Sequence, residues 1–153
     1  MQDLPHNYKV EAVAAHDANP VVKSGTLQPI TIEPPPEFGG PGNQWSPETA
    51  MVGAIASCFI LTFRGVARAS SFAWSELACR AEGRLERVEG TLRFTEFTLR
   101  PALKIPAGAD RDRALRLLEK AERSCLVTNS LRSTVRLEPA VIEIPAETLA
   151  EAH

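Results

Sequence analysis

Aromatic residues make up only 6% of the 153-residue chain, and lysine and arginine nowhere gather into a cluster. With so few aromatics the chain offers no platform on which bases could stack. A formal net charge of −2, from 17 Lys+Arg against 19 Asp+Glu, removes the electrostatic case for nucleic acid or an anionic membrane surface as partner. The opening MQDLPHNYKV has neither a basic n-region nor an apolar h-region, so no secretory signal is expected and the expected compartment is the cytoplasm. The longest uncharged run, Thr49 to Phe63, holds 15 residues and stops at Arg64. That is short of the roughly 20 apolar residues a spanning helix needs, so it reads as a buried helix and not as a membrane span. The cysteines Cys58, Cys79 and Cys125 form no CxxC pair, and His6, His16 and His153 stand near the termini, so a zinc site is not expected. An odd number of cysteines without a leader reads as free thiols, structural or reactive, in preference to a disulfide framework.

What is present is ordinary for a globular chain: 44% hydrophobic and 24% charged residues, in a length that suits one domain with a real core. The expectation is a single domain over 1–153, its core between about 8 and 144 and a loose tail at 145–153. Strands are expected within 7–32, the first carried by Tyr8, Val10 and Val13, then a turn at His16–Pro20 and a resumption at Thr26–Ile32. EPPPEFGGPGNQW (33–45) has too many prolines and glycines for a helix or a central strand and reads as a loop, either a site rim or a connector. Two strands joined near Glu89-Gly90 fill Phe72 to Ile105, with Leu77, Cys79 and Ala81 alternating against charged neighbours. Ala114, Leu117, Leu118, Ala121 and Cys125 recur on one face of a helix starting at Asp110 and ending near Ser124. A short helical turn in CLVTNSLRS and a final strand in TVRLEPAVIEI, broken at Pro139, complete the chain. Helices and hairpins are segregated, which gives an α+β class with a largely antiparallel sheet.

The chemistry concentrates in SPETAMVGAIASCF, residues 46–59. Ser46 suits the helix cap, Pro47 the first helical position, and Glu48 the positive end of the helix dipole. The helix should run to about Ser70, and it is apolar almost all round from Ala50 to Phe63, so it belongs at the centre of an assembly. Cys58 on it can meet Cys125 if the two helices pack face to face, which would make a pair of reactive thiols. Cys79, on the apolar side of a strand, reads as structural. Ten helical residues separate Glu48 from Cys58 by about 15 Å, beyond the reach of one side chain. Two antiparallel copies of the helix would instead bring each Glu48 toward the cysteine of the other copy, so a homodimer is expected.

SPETAMVGAIASCF resembles the first cysteine motif of the osmotically induced protein C / organic hydroperoxide resistance (OsmC/Ohr) family, and ERSCLVTNSLR (122–132) resembles its second. The order of elements matches over about 8–144. The resemblance implies an OsmC-like fold, a sheet wrapped around a central buried helix, in an intertwined homodimer with active sites at the subunit interface. It implies a thiol peroxidase that reduces organic hydroperoxides to alcohols. Cys58 would attack the O–O bond and become a sulfenic acid, and Cys125 would resolve it as a disulfide. An external dithiol, in the better-known members a lipoyl group on a carrier protein, would restore the thiols without metal, haem or flavin.

The chain departs from the family pattern at one point. The peroxidases place an arginine ahead of the helix, held by the Pro-Glu carboxylate, to stabilise the thiolate. Here the first arginine is Arg64, six residues past Cys58 and on another face of the helix. Lys23 is the candidate substitute, a point charge without the planar fork that pairs with a carboxylate. Two readings follow: a peroxidase with a replacement for the arginine, or a non-peroxidase OsmC-like protein that binds a hydrophobic small molecule or senses redox state. The loop with Phe38 and Trp45 favours an apolar organic substrate over hydrogen peroxide.

Overall fold

The computed structural model of the protein describes residues 3–145, so all but the first residue of the tail expected at 145–153 lies outside the described residues. The chain groups into two compact units, Met1–Met51 and Val52–His153.

The first unit holds a small antiparallel meander of three strands, β1 (Glu11–Val13), β2 (Val21–Lys23) and β3 (Ile30–Thr31), in the order β1-β2-β3. Strands were expected here, but they are shorter and one more in number. Thr26–Gln28, expected in a strand, belongs instead to a turn closed by Leu27 N–H to the Ser24 carbonyl at 3.0 Å, with Gly25 at φ +53°. That left-handed conformation is one glycine adopts freely, and it ends β2 at Lys23. The Pro/Gly loop contains a single 3₁₀ turn, Pro36–Phe38. Its ends are tied together, Ile32 bridging to Trp45 and Glu33 N–H reaching the Trp45 carbonyl at 2.9 Å.

Helix α1 (Pro47–Ala69) starts in the first unit and continues through the start of the second. Its cap is reciprocal: Thr49 N–H donates to Ser46 Oγ at 3.1 Å, and Ser46 N–H donates to Thr49 Oγ1 at 2.9 Å. Two of the free donors at the chain's entry to the helix are satisfied this way, with Thr in the position that Glu or Gln usually fills.

In the second unit, β4 (Glu76–Val88) and β5 (Thr91–Pro106) form a long antiparallel hairpin. Glu89 and Gly90 turn it with φ of +51° and +82°. Both central residues being left-handed is the signature of the tight turn whose twist matches the strands. Then follow α2 (Arg111–Arg123), capped by Asp110 accepting from Arg113 N–H at 2.8 Å, and a single helical turn, α3 (Leu126–Asn129). β6 (Thr134–Leu137) and β7 (Ala140–Ile144) both pair with β5, one after the other along its free edge, and both run parallel to it.

The expected largely antiparallel sheet is therefore corrected to a mixed one. A hairpin turn reverses direction, but the helical crossover through α2 and α3 carries the chain back to the far end of β5, and a strand entered from there must run parallel. The break between β6 and β7 at Glu138-Pro139 falls beside Arg100-Pro101 of β5, so the prolines sit where that edge of the ladder is interrupted.

The expected face of α2 is buried throughout: Ala114, Leu117, Leu118, Ala121 and then Cys125. It meets a core of Phe97, Leu99, Leu103 and Ile105 from β5 and Val141 from β7. Gly83 of β4 marks the closest approach of α1 to the sheet, since a Cβ there would stand 2.8 Å from Phe97 Cε1 and 3.0 Å from Val52 Cγ2. Within the single chain, helix α1 is buried along one side. Ile55, Phe59, Phe63 and Ala67 form one covered stripe, with Phe63 edge-on to Trp74 at 5.4 Å. The opposite surface is apolar and uncovered, and Leu61 is 62% exposed.

Candidate active site: a cluster of thiols

The stripe that buries α1 places Cys58 beside Phe59, half-buried, on the flank of the helix that faces the end of α2. Cys125 is fully buried and takes the capping position of α3, with an extended backbone at φ −71° and ψ 116°. Burial alone would push the Cys125 thiol up, but hydrogen bonds outweigh it. The Thr128 hydroxyl, the Thr128 N–H, the Cys58 thiol and the Val127 N–H all favour the anion, and the net result is a thiol held below its ordinary pKa. None of these donors is a cation. The Thr128 hydroxyl also lies 3.2 Å from the Cys125 carbonyl oxygen. Having one proton, it serves the carbonyl when the sulfur is neutral and turns to the sulfur when it is charged, because the charged acceptor binds the donor more strongly.

Cys58 and Cys125 are thus brought close enough for Cys58 to favour the Cys125 anion. The third cysteine, Cys79 of β4, is half-buried. Burial, and then the negative charge of Cys125, push its thiol up to about 11. Composition alone could not single out Thr128 or link Cys79 to the pair. The signal for Cys79 was its place on the inward side of β4 with Leu77, but which element faces that side depends on the crossover.

Glu48 lies in the first turn of α1, and its Oε2 is buried with no hydrogen-bond partner among the described residues. With Glu33, whose own Oε2 is equally unpartnered, it lines a proline-walled cleft of about 260 Å³ that includes Pro34, Pro35, Pro47 and Phe38. The other Glu33 oxygen, Oε1, accepts from Asn19 Nδ2 at 2.7 Å. Lys23 ends β2 in the same unit, exposed and in register opposite Glu11. Arg64 is exposed on α1 and lines a separate cleft with Leu61, Arg68, Phe72 and Trp74. Among the described residues no group of His, Cys, Asp and Glu is arranged to hold a metal ion.

A helix-borne thiol meeting a second, buried thiol on an α+β frame defines a dithiol protein built around one long apolar helix. The model of the OsmC-like protein family matches residues 40–140, and the chain belongs to that family. It is 28% identical over 138 residues to YmaD of Bacillus subtilis, an uncharacterized protein, covering 87% of this chain and 91% of that one. Among solved structures, an OsmC-like protein of unknown function from Vibrio cholerae superposes with a TM-score of 0.79 at 18% identity, over 88% of this chain and 99% of the other. An organic hydroperoxide resistance protein from Elizabethkingia anophelis superposes with a TM-score of 0.75 at 20% identity, over 94% and 100% of the two chains. At these identities the superpositions establish the shared fold.

Proposed function

We propose that the protein is a cysteine-based thiol peroxidase that reduces organic hydroperoxides to alcohols through Cys58 and Cys125. The reading is supported by a half-buried Cys58 thiol close to a fully buried Cys125 whose anion is favoured by neutral groups. The more accessible sulfur is the one a peroxide can reach, and the buried one is the natural resolving thiol.

The chemistry balances without a cofactor. Cys58 passes its proton to the Cys125 sulfur along their hydrogen bond, and the Cys58 thiolate attacks the peroxide. The O–O bond breaks, leaving a Cys58 sulfenic acid and an alkoxide, and the alkoxide takes the proton back from Cys125 to leave as the alcohol. The Cys125 thiolate then attacks Cys58 Sγ, a disulfide forms, and hydroxide departs to be protonated by solvent as water. An external dithiol, a lipoyl group on a carrier protein being the family's precedent, returns the pair to the reduced state by exchange. The cytoplasm is a compartment that supplies such reductants.

A homodimer completes the reading. The uncovered apolar side of α1 is surface for a second copy of this chain to cover. Antiparallel packing of two α1 helices would direct each Glu48 toward the partner subunit's Cys58, with Lys23 as the cation that answers the unpartnered carboxylate. A second reading keeps the fold without the peroxidase: the proline-walled cleft and the unpartnered Glu48 favour binding of a hydrophobic small molecule, with the thiols as a redox sensor.

One experiment separates the two. The reduced protein receives one equivalent of cumene hydroperoxide, and thiol loss and disulfide mass are followed in wild type, Cys58→Ser and Cys125→Ser. A peroxidase gives a rapid Cys58–Cys125 disulfide in wild type and sulfenic or overoxidised Cys58 in Cys125→Ser. Oxidation no faster than that of a free thiol would remove catalysis, and unchanged reactivity in Lys23→Ala would eliminate the lysine.

A further inference from the structure

Most arginines on the sheet are answered by a carboxylate. Arg84 pairs with Glu86, Arg100 with Glu82 and Glu138, and Arg136 with Glu96, at 2.6–3.3 Å. Arg64 and Arg68 of α1 have no ion pair or hydrogen bond among the described residues, and the one acid on their helix is Glu48, in its first turn. Spaced i and i+4, they are neighbours on one face and repel each other. Nor is Arg68 needed to cap the helix. The carbonyls of Val66, Ala67 and Arg68 accept from the N–H groups of Ser70, Phe72 and Ser71, and the Ser70 carbonyl accepts from Arg113.

Both free arginines line a cleft of about 360 Å³ with Leu61, Gly65, Phe72 and Trp74, and no acidic residue lines it with them. Its aromatic wall is held in place. Trp74 stands edge-on to the buried Phe63 at 5.4 Å, and the buried Phe72 carries the Arg113 guanidinium 5.6 Å from its ring centroid. The Trp74 indole N–H has no acceptor among the described residues. Gly65 leaves the floor open, since a Cβ there would meet nothing within 4 Å. Glycine inside a helix is destabilising relative to alanine, and no contact among the described residues requires it at this position.

We propose that this cleft binds an amphipathic carboxylate, its charged end held between Arg64 and Arg68 and its apolar body on Gly65, Phe72 and Trp74. Guanidinium forks match the two oxygens of a carboxylate, and two neighbouring arginines lose their mutual repulsion when an anion sits between them. The cleft lies toward the C-terminal end of α1, the negative end of the helix dipole, so a monoanion is favoured over a phosphate dianion. At roughly 30 Å³ per water-sized group, the volume suits about a dozen non-hydrogen atoms. The site rests on neither reading of the thiols.

Decanoate matches that size and is the probe. Trp45→Phe leaves Trp74 as the chain's one tryptophan, so its emission reports on this cleft. Sub-micellar decanoate, decan-1-ol and decylammonium are titrated into the full-length Trp45→Phe protein, with calorimetry on wild type as a second readout. Decanoate should bind saturably and about tenfold or more tightly than the alcohol, the worth of a hydrogen bond to a charged group. Arg64→Gln and Arg68→Gln should each weaken it by a similar factor. Gly65→Leu, which keeps both arginines and fills the floor, should abolish it. Arg123→Gln, on the exposed side of α2, should leave it unchanged. Arg64→Glu combined with Arg68→Glu should reverse the preference to decylammonium, a result that a folding defect would not give. No saturable binding, as when a second copy covers both arginines, overturns the proposal. Equal affinity for the three probes, or Gly65→Leu binding like wild type, also overturns it, by showing adsorption to an apolar surface. A protein that cumene hydroperoxide fails to oxidise can still bind decanoate, so the peroxidase reading and this site fall separately.

Discussion

Thr128→Val is the sharpest test of how the acid thiol is made. The substitution keeps the side chain's shape in a buried position and removes one of the donors to the Cys125 sulfur, leaving the N–H groups of Val127 and Thr128 in place. A hydrogen bond to a charged group contributes about 1.5–3 kcal/mol, and one pK unit corresponds to about 1.4 kcal/mol. The Cys125 pKa should therefore rise by about 1–2 units in Thr128→Val. Thr128→Ser, which keeps the hydroxyl, should titrate close to wild type. The measurement is an NMR titration of cysteine labelled at the β-carbon, with the three resonances assigned from single-cysteine variants. A Cys125 titration that does not move in Thr128→Val would refute the reasoning. It would mean that the hydroxyl stays on the Cys125 carbonyl oxygen, 3.2 Å away, in both protonation states.

Three further outcomes follow from the same coordinates. Cys125 has a folded pKa below its unfolded value, so its contribution to stability is complete above the unfolded thiol pKa and is lost as pH falls through the folded one. Cys79, raised to about 11, behaves oppositely: stability is lost as pH rises from the unfolded value of about 8.5 toward that figure. Urea midpoints should thus decline on the alkaline side, and Cys79→Ala should flatten the decline. Gly83→Ala forces a methyl to within 2.8 Å of Phe97 and 2.9 Å of Phe94; overpacking of this kind costs about 1–3 kcal/mol, read as a melting temperature lower by several degrees. Leu61→Glu puts a charge on the uncovered side of α1, and sedimentation should show the proposed dimer dissociating while far-ultraviolet dichroism stays intact; an unchanged mass would place the dimer contact elsewhere.

Much of this frame could be read before the fold was known, because local chemistry dictates it. Ser46-Pro47 is a cap, Glu89-Gly90 joins two strands, and the spacing of Ala114, Leu117, Leu118 and Ala121 is a helix face; each needs only its own neighbours. What could not be read depends on residues distant in sequence. TVRLEPAVIEI looks the same in an antiparallel or a parallel pairing, and only the crossover through α2 decides it. The apolar run of α1 announced a covered helix but could not say how much of the cover this chain supplies. Cys79 read as structural on the apolar side of a strand, and it lies half-buried on β4.

The missing arginine changes which quantity limits the thiol chemistry, and that change can be tested. A cation beside Cys58 would stabilise its anion directly. Here the donors surround Cys125 and favour its anion. Weakening Cys125 by Thr128→Val should therefore take away part of that preference, and the rate of Cys58 oxidation at high pH should rise above that of wild type. Stopped-flow oxidation by cumene hydroperoxide across the pH range reads this directly. A rate that falls by the same factor at every pH would show that Thr128 positions the sulfurs instead, and a rate that falls only at high pH would make Cys125 the attacking thiol.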